Sequence, residues 1–559
     1  MNSNMYAQVA KRYDIVIDEL MVDPAPQIGL PNNEWVELKN ISTVAFNLAG
    51  WRVGDAAGQS GAMPSYILKP DSFVIVCSSG SVAAMNAFGP TISVTSFPSL
   101  DNDADIIFLR SPQNIIIHAV GYNSAWYNNE LKKDGGWTLE MTDTKNPCSA
   151  AANWVASINS MGGTPGKINS VDAHNPDQFP PKLLSAYAAD SLNIVLVFDE
   201  PLDSLRSTAP NNYLVSDGIG IPQNVVAGAP VFDRIYLKLN MPLTRNKIYT
   251  VTVNAVTDCA GNAISNNSIT RVGLSAVAEN MDVVINEILF NPKPNGTDYL
   301  ELYNRSNKII DLQQLYIANR NSSAVISSIK QLSIGSRLLF PQDFLLITEN
   351  PLPVQSQYFC PNPGSFITLN GMPSFNDDKG DAIILNAQGN IVDELQYDEK
   401  WHFKLIDNDE GVSLERIDYN ALTQDPLNWH SAATSSGYGT PGYKNSQYRA
   451  DAQLQGTITV SPEIISPDND GMDDFATLDY NFPEPGYVAS ITIFDAAGRS
   501  VRYLQQNALC GIKGNFRWDG LGEKNQQLPV GIYIFYTEVF NLKGKSGRFK
   551  NVVVLARKV

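Results

Sequence analysis

The chain has 559 residues, of which 43% are hydrophobic and 17% are charged. A chain this long exceeds one hydrophobic core and is expected to fold as roughly three to five domains. Its 57 acidic and 40 basic side chains give a formal net charge of -17 without any run of Lys and Arg, which excludes nucleic acid and anionic membranes as expected partners.

Few sequence features indicate the cellular compartment of the protein. No stretch approaches the ~20 apolar residues of a membrane-spanning helix, so no membrane span is predicted. The amino end, MNSNMYAQVAKRYD, lacks the apolar core of a signal peptide, which predicts either a cytoplasmic chain or a mature form whose signal has been removed. The five cysteines are odd in number and far apart, so one pair could bridge in an oxidising compartment, but their spacing identifies none.

The first predicted element, YDIVIDELMVDPAP at residues 13–26, recurs as MDVVINEILFNPKP at residues 281–294. The similarity continues in the same order: EWVELKN matches DYLELYN, LEM matches LER, and GTPGKINS matches GTPGYKNS. Such long, ordered self-similarity indicates a duplicated structural unit. We therefore predict two homologous domains, at residues 13–170 and 281–446; below they are the first copy and the second copy.

The elements inside each copy are predicted to be strands. Short runs such as DIVIDEL, WVELKN and DSFVIVC are rich in Val, Ile and Phe, alternate apolar with polar residues, and are separated by Pro, Gly, Asn and Asp. Helical periodicity over ten or more residues is hard to find anywhere in the chain. Each copy is therefore predicted to be an all-β sandwich or barrel.

Two further strand-rich segments surround the second copy. Residues 177–275, the middle segment, have the length of one immunoglobulin-like sandwich. Residues 456–559, the last segment, contain VASITIFDAAGRSVRYL, which predicts two strands joined by a tight turn at Ala497 and Gly498. The predicted fold class is all-β, with four tandem β-sandwich, immunoglobulin-like domains.

The acidic residues that both copies keep in their opening strands are Glu19 with Glu37, and Glu287 with Glu301. Two nearby carboxylates have the chemistry to bind a cation or to act as acid and base. The structural alternative is that each accepts backbone N–H groups from a loop broken by proline, because buried carboxylates need partners.

Aromatic residues also recur, as Tyr122 with Trp126 in the first copy and Tyr397 with Trp401 in the second. A sugar ring could stack on such a pair, which makes Trp126 and Trp401 candidate binding residues. The alternative is that these rings belong to the core, as aromatic residues of a sandwich more often do.

The segment SPDNDGMDDF, residues 466–475, is the strongest candidate metal site. Asp468, Asp470, Asp473 and Asp474 crowd around a glycine that permits a sharp turn, so several carboxylates can face one hard cation such as Ca²⁺. The segment imitates the first half of an EF-hand loop, although a serine replaces the first aspartate. A solvated acidic turn without metal is the alternative.

Catalytic motifs are missing from the sequence. The four histidines have no paired metal-ligand spacing, and neither H-E-x-x-H nor G-x-S-x-G occurs. GTPGKIN has the wrong glycine spacing for a phosphate-binding loop. Asp18 of the first copy becomes Asn286 in the second, a change that a catalytic acid would not tolerate. No enzyme activity is predicted.

The duplicated unit resembles the lamin-tail domain. The resemblance rests on IDEL and WVELKN in the first copy, on INEI and YLELYN in the second, and on the closing residues NW and GTPG of both. The closing SLER is complete in the second copy, whereas the first copy has the looser TLEM. It implies an immunoglobulin-like β-sandwich of a kind that bacteria place in secreted multidomain proteins, sometimes beside nucleases or phosphatases.

Two weaker resemblances concern the other segments. The middle segment is similar to the bacterial Ig-like modules of S-layer proteins, through VFDEPLD and YTVTVNAVTDCAGN. The last segment is similar to the carboxy-terminal Ig-like domains that direct proteins to the type IX secretion system, through ITIFDAAGRSV, FRWDGLGEKNQQLPVGIYIF and NVVVLARKV, although flagellar-hook cap proteins share part of this pattern. This second resemblance implies export and the type IX secretion machinery as a partner.

Together these features predict a secreted or cell-surface modular protein without catalytic activity, which acts in adhesion, surface structure or scaffolding. Its expected partner is an extracellular protein or polysaccharide. The alternative is a glycan- or protein-binding accessory subunit of an exported enzyme or secretion complex. An enzyme would require Glu19 and Glu37, or Glu287 and Glu301, to form an open acidic pocket.

Overall fold

The computed structural model describes residues 9–448, 456–542 and 545–557. Strands dominate these residues, and the longest helix among them, Pro351–Gln357, has only seven residues. The prediction of an all-β chain is therefore confirmed. The chain divides after Leu274 into two compact units. None of the described helices is long and apolar enough to cross a membrane.

The first copy is built on a six-stranded sheet with two buried strands at its centre. Across this sheet the strands are Trp154–Ala156, Leu139–Met141, Ile15–Met21, Trp35–Asn40, Phe73–Ser78 and Thr91–Val94. A second sheet contains Arg52–Gly54, Ala104–Arg110 and Ile116–Asn123, and a small one pairs Phe46–Asn47 with Ile67–Leu68. The short helices are Val82–Met85, Ser124–Tyr127, Glu130–Lys133 and Ala150–Asn153. Aliphatic side chains of the two larger sheets form one main core.

The second copy repeats this plan in the carboxy-terminal unit. Its six-stranded sheet contains, in order, Phe366–Thr368, Phe344–Thr348, Tyr299–Asn304, Val283–Leu289, Leu414–Arg416 and Trp429–Ser431. A four-stranded sheet contains Ile326–Gln331, Leu315–Arg320, Lys379–Asn386 and Ile391–Asp398, and a small sheet pairs Ile310–Asp311 with Leu338–Leu339. The helices are Leu312–Gln314, Pro351–Gln357, Pro363–Ser365, Glu399–Trp401, Pro426–Asn428 and Thr434–Ser436.

The middle segment folds as two facing sheets around its own core. One sheet contains Leu183–Asp190, Asn193–Phe198, Arg234–Lys238 and Asn224–Ala227; the other contains Tyr213–Val215, Tyr249–Val253 and Ser268–Val272. Two short helices, Arg206–Thr208 and Pro210–Asn212, lie between strands.

The last segment also has two sheets, and no helix occurs among its described residues. Thr457–Ser461, Ala476–Asn481 and Lys513–Trp518 form the smaller sheet; Ile464–Ile465, Ser546–Leu555, Gly531–Asn541, Tyr487–Asp495 and Ser500–Cys510 form the larger. The turn predicted at Ala497 and Gly498 joins two of these strands, and Gly498 N–H donates to the Asp495 carbonyl at 2.9 Å.

A disulfide between Cys148 and Cys259 joins the first copy to the middle segment. The two Cα atoms are 6.3 Å apart although 111 positions separate the cysteines in sequence. Next to it, Ser149 Oγ donates to Asp177 Oδ2 at 2.8 Å. These two parts of the amino-terminal unit are therefore linked covalently, a pairing that the sequence spacing did not identify.

Candidate functional site

The candidate site begins at a β-bulge in the first strand of each copy. In the first copy the register shifts between Ile17 and Glu19, so Asp18 is the extra residue and Glu19 lies opposite Glu37. On its other side Glu19 lies opposite Glu140, in the strand Leu139–Met141. Three carboxylates therefore meet across three neighbouring strands, and each is 0% exposed.

The closing segment GTPGKINS supplies hydrogen bonds to all three carboxylates. Thr164 donates from its backbone N–H to Glu19 Oε1 at 2.7 Å and from Oγ1 to Glu140 Oε1 at 2.9 Å. Gly166 donates from its backbone N–H to Glu37 Oε2 at 2.5 Å. The turn that closes the sandwich is thus bound directly to its opening strands.

The second copy repeats the arrangement with Glu287, Glu301 and Glu415, all 0% exposed. Thr440 donates from its backbone N–H to Glu287 Oε1 at 2.9 Å, and from Oγ1 to Glu287 Oε2 at 2.6 Å and Glu415 Oε1 at 3.0 Å. Gly442 N–H donates to Glu301 Oε2 at 2.5 Å. The recurring GTPG is therefore bound in the same way in both copies.

Burial raises the pKa of these carboxyl groups. Loss of hydration is the largest cause for Glu19, Glu37 and Glu301, and neighbouring carboxylates raise the pKa of each further. Burial likewise raises the pKa of Glu287, and it brings the pKa of Glu415 to about 8. Because all five side chains are fully enclosed, they do not form the open acidic pocket that catalysis on a substrate would need.

Glu140 and Glu415 are site residues that sequence reasoning did not single out. Their signal was present, since LEM in the first copy recurs as LER in the second. Only the fold shows that these glutamates sit beside the opening strands, because more than a hundred residues separate them in sequence.

The recurring aromatic residues lie in or against the cores of the two copies. Tyr122 and Tyr397 are each 2% exposed, and their hydroxyl groups donate to the backbone carbonyls of Asp101 and Asn376. Trp126 and Trp401 are partly buried and pack against the same two cores. The two tyrosines therefore belong to the cores, whereas part of each tryptophan side chain remains exposed.

The acidic loop brings together three of its four predicted metal ligands. Asp468, Asp470 and Asp474 each offer a carboxylate oxygen, and these oxygens lie within 4.8 Å of one another. Asp473, the fourth predicted ligand, does not belong to this group. Its backbone has a φ of 54° and its carbonyl accepts the Ser466 N–H at 2.8 Å, so the chain reverses there.

A second acidic cluster was not predicted at all. Asp177, Glu200 and Asp258 also bring carboxylate oxygens within 4.8 Å of one another. Burial, followed by the charges of Asp177 and Asp258, raises the pKa of Glu200 to about 8. Glu200 and Asp258 lie in the quoted segments VFDEPLD and YTVTVNAVTDCAGN, but their spacing along the chain does not show that they meet each other and Asp177.

Comparison with protein families gives matches in both copies and in the middle segment. The Lamin Tail Domain matches residues 8–124 and 276–399, and the Bacterial Ig-like domain matches residues 177–271. The lamin-tail matches end before Leu139–Met141 and Leu414–Arg416, which carry the third carboxylate of each copy. No curated protein matches the chain.

Several solved structures show weak likeness to the chain. The N-terminal part of the bacterial S-layer protein SbsC is 16% identical, with a TM-score of 0.17 over 30% of this chain and 45% of that chain. A tetra-tandem repeat from the extending region of a large adhesion protein is 11% identical, with a TM-score of 0.13 over 97% and 99%. A Ca²⁺-stabilized adhesin of an Antarctic bacterium is 8% identical, with a TM-score of 0.12 over 98% and 100%. These scores are too low to support conclusions.

The family matches coincide with the architecture. The two lamin-tail matches fall on the two copies, which share a six-stranded sheet, a bulged first strand and a buried carboxylate cluster. The Ig-like match falls on the two-sheet middle segment. The chain is therefore a modular all-β protein that contains two lamin-tail domains with a bacterial Ig-like domain between them.

Proposed function

We propose that this chain is a non-enzymatic modular protein of the cell surface or the medium, acting in adhesion, surface structure or scaffolding. One observation carries the proposal: the carboxylates that both lamin-tail domains share are fully buried and bound to the chain's own closing turns. The features that recur therefore build the fold. A series of β-domains without an open catalytic pocket at these residues suits a spacer or a binding surface.

The disulfide supports the extracellular location. Disulfides persist in oxidising compartments such as the periplasm, the cell surface and the medium, and they are rare in the cytosol. The bond between Cys148 and Cys259 therefore supports an exported chain rather than a cytoplasmic one.

Within this proposal, residues 456–559 form a sorting domain that engages the type IX secretion machinery. Support comes from the resemblance of ITIFDAAGRSV and FRWDGLGEKNQQLPVGIYIF to such domains. The described residues of this segment also pack as two sheets around one core, as an immunoglobulin-like domain requires.

Deletion of residues 456–559 is expected to leave the protein inside the cell. The test uses a Gram-negative host with type IX machinery, in which the chain is made behind a signal peptide and located by fractionation and by protease access to intact cells. Cells that make the whole chain should carry it on the surface or release it, and surface-bound chain should increase their adherence to protein-coated or polysaccharide-coated plates.

A chain lacking residues 9–274 is the matched control, because it removes the amino-terminal unit and keeps the proposed sorting domain. This control should still be exported. Export of the chain without residues 456–559 would contradict the sorting role, and hydrolytic activity that is lost on replacing Glu19 or Glu287 would contradict the non-enzymatic role.

We also propose that Asp468, Asp470 and Asp474 bind Ca²⁺. Oxygen ligands from several carboxylates on one turn suit this hard cation, and the three carboxylates already lie close together. Asp474 also accepts backbone N–H groups from Asn469 at 2.7 Å and Gly471 at 2.9 Å, which fixes the shape of the turn.

Isothermal titration of the metal-free chain with CaCl₂ is expected to show binding at roughly 0.1–1 mM, the range of extracellular calcium modules. Asp468→Asn combined with Asp470→Asn should abolish it, because two of the three charged ligands are lost. The paired control is Asp101→Asn with Asp103→Asn, in an acidic turn of the first copy that should not contribute. Unchanged binding in the first double variant would refute the site.

A further inference from the structure

The two carboxylate clusters differ in hydrogen bonding at one position, the extra residue of the β-bulge in the first strand. In the second copy it is Asn286, whose Nδ2 donates to Glu301 Oε1 at 2.8 Å and to Asn445 Oδ1 at 2.7 Å. All three side chains are buried. One amide group therefore satisfies two enclosed acceptors.

In the first copy the bulge residue is Asp18, which is 1% exposed and has no side-chain N–H to donate. The acceptors equivalent to those of the second copy are Glu37 Oε1 and Asn169 Oδ1. Both are buried without a hydrogen-bond partner among the described residues, and so are both carboxylate oxygens of Asp18. Where the second copy has the Asn286 amide as donor, the first copy thus has four enclosed acceptor atoms without one, two of them on Asp18 itself.

The equivalence of the two sites is supported by the contacts that both copies keep. Asn169 Nδ2 donates to the Asp18 carbonyl at 2.9 Å, and Asn445 Nδ2 donates to the Asn286 carbonyl at 2.9 Å. Glu37 accepts the Gly166 N–H through its other oxygen, as its counterpart accepts the N–H of the matching glycine. The first copy therefore lacks one donor within an arrangement of hydrogen bonds that is otherwise the same in both copies.

Among the charged groups around Asp18, Lys39 favours an ionised Asp18 carboxylate, but burial opposes ionisation more strongly. Glu19 lies beside it on its own strand, Glu37 and Lys39 lie on Trp35–Asn40, and Glu140 lies on Leu139–Met141. Lys39 is the cation of this set, and its Nζ donates to Thr144 Oγ1 at 3.2 Å. Ionised carboxylates packed together without donors are costly in a buried site, and one bound proton removes a charge and adds a donor.

We propose that Asp18 carries a proton in the folded first copy and donates it to Glu37 Oε1, so that a carboxylic acid replaces the amide of Asn286. The first lamin-tail domain is then sensitive to pH at a position where the second domain is not. Burial raises the pKa of Asp18 to about 8, and burial is also the largest cause of the raised pKa of Glu37.

The sign of the pH effect follows from this assignment. An unfolded aspartic acid loses its proton near pH 4, whereas folded Asp18 keeps it to about pH 8. Between these values the folded domain holds a proton that the unfolded chain has released, so its stability falls as pH rises through this range. The GTPG turn of the first copy is therefore held more firmly in acidic surroundings than in alkaline ones.

The test is hydrogen exchange of the full-length chain, followed by mass spectrometry, at pH 5, 6, 7 and 8. The peptides that report are those covering Ile15–Met21 and Val283–Leu289, one from each domain. Asp18→Asn should protect the first peptide more than the original residue does. This advantage should grow at least tenfold between pH 5 and pH 7, because one extra proton changes the unfolding equilibrium by up to tenfold per pH unit.

The reverse variant, Asn286→Asp, should give the second peptide the same loss of protection with rising pH. In each variant the peptide of the unchanged domain is the internal control. An amide that merely packed better would give an advantage independent of pH. A constant ratio between Asp18→Asn and the original chain from pH 5 to pH 8 would overturn the proposal, even if Asn286→Asp failed to fold.

Discussion

Replacing Glu287 with Ala is expected to lower the free energy of unfolding of the second lamin-tail domain by about 4 kcal/mol. The Glu287 carboxylate accepts hydrogen bonds from Tyr299 Oη, from Ser413 Oγ at 2.7 Å, and from both donors of Thr440. All four residues are buried, so the substitution leaves several donors without partners, at about 1–3 kcal/mol each before relaxation.

Scanning calorimetry of the full chain would measure this effect as a separate shift of one transition. For a domain of this size, about 4 kcal/mol corresponds to a fall in Tm of roughly 8–16 °C. Glu349→Ala, which removes an exposed carboxylate from the same domain, is the matched control. Glu19→Ala should cost less, because among the described residues Glu19 accepts from two donors, Thr138 Oγ1 and the Thr164 N–H. A shift no larger than that of Glu349→Ala would show that the carboxylate does not hold the closing turn.

Replacing Cys148 with Ser is expected to destabilise the amino-terminal unit by about 3–5 kcal/mol. The disulfide closes a loop of 111 positions, and a loop this long removes much conformational entropy from the unfolded chain. Urea unfolding would record the effect as a lower midpoint, and a reducing agent should lower the midpoint of the original chain in the same way.

The control for the disulfide is Cys360→Ser, because Cys360 is a free and only partly buried thiol in the other unit. Peptide mapping without reduction should recover Cys148 joined to Cys259 from exported protein. Recovery of both as free thiols would contradict the bond and weaken the inferred oxidising location.

The strands could be predicted because their patterns are local. WVELKN, for example, is a strand over the predicted residues, since Val36 and Leu38 alternate with polar residues and turn formers flank the run. The bulge at Asp18 could not be predicted in this way. Every residue of Ile15–Met21 is buried. Because buried and exposed residues do not alternate along this strand, no break in alternation marks the bulge.

The site could be predicted only in part. The echo between copies identified Glu19, Glu37, Glu287 and Glu301, but their role depends on which distant turn donates to them. In the acidic loop, the left-handed backbone of Asp473 could not be read from the sequence, and Asp473 lies outside the carboxylate group that the other three aspartates form. The cysteine pair and the cluster around Glu200 arise from segments that meet only after folding, which spacing along the chain does not record.

The link between Cys148 and Cys259 also determines how the chain would carry a mechanical load. A pull on the two ends passes through the sulfur–sulfur bond and bypasses the segment between the two cysteines, which includes most of the Ig-like domain. If that domain unfolded, the disulfide would still prevent roughly 370–400 Å of contour length from extending. Under tension this part of the protein therefore behaves as an inextensible tether, and any lengthening must come from parts of the chain outside the loop.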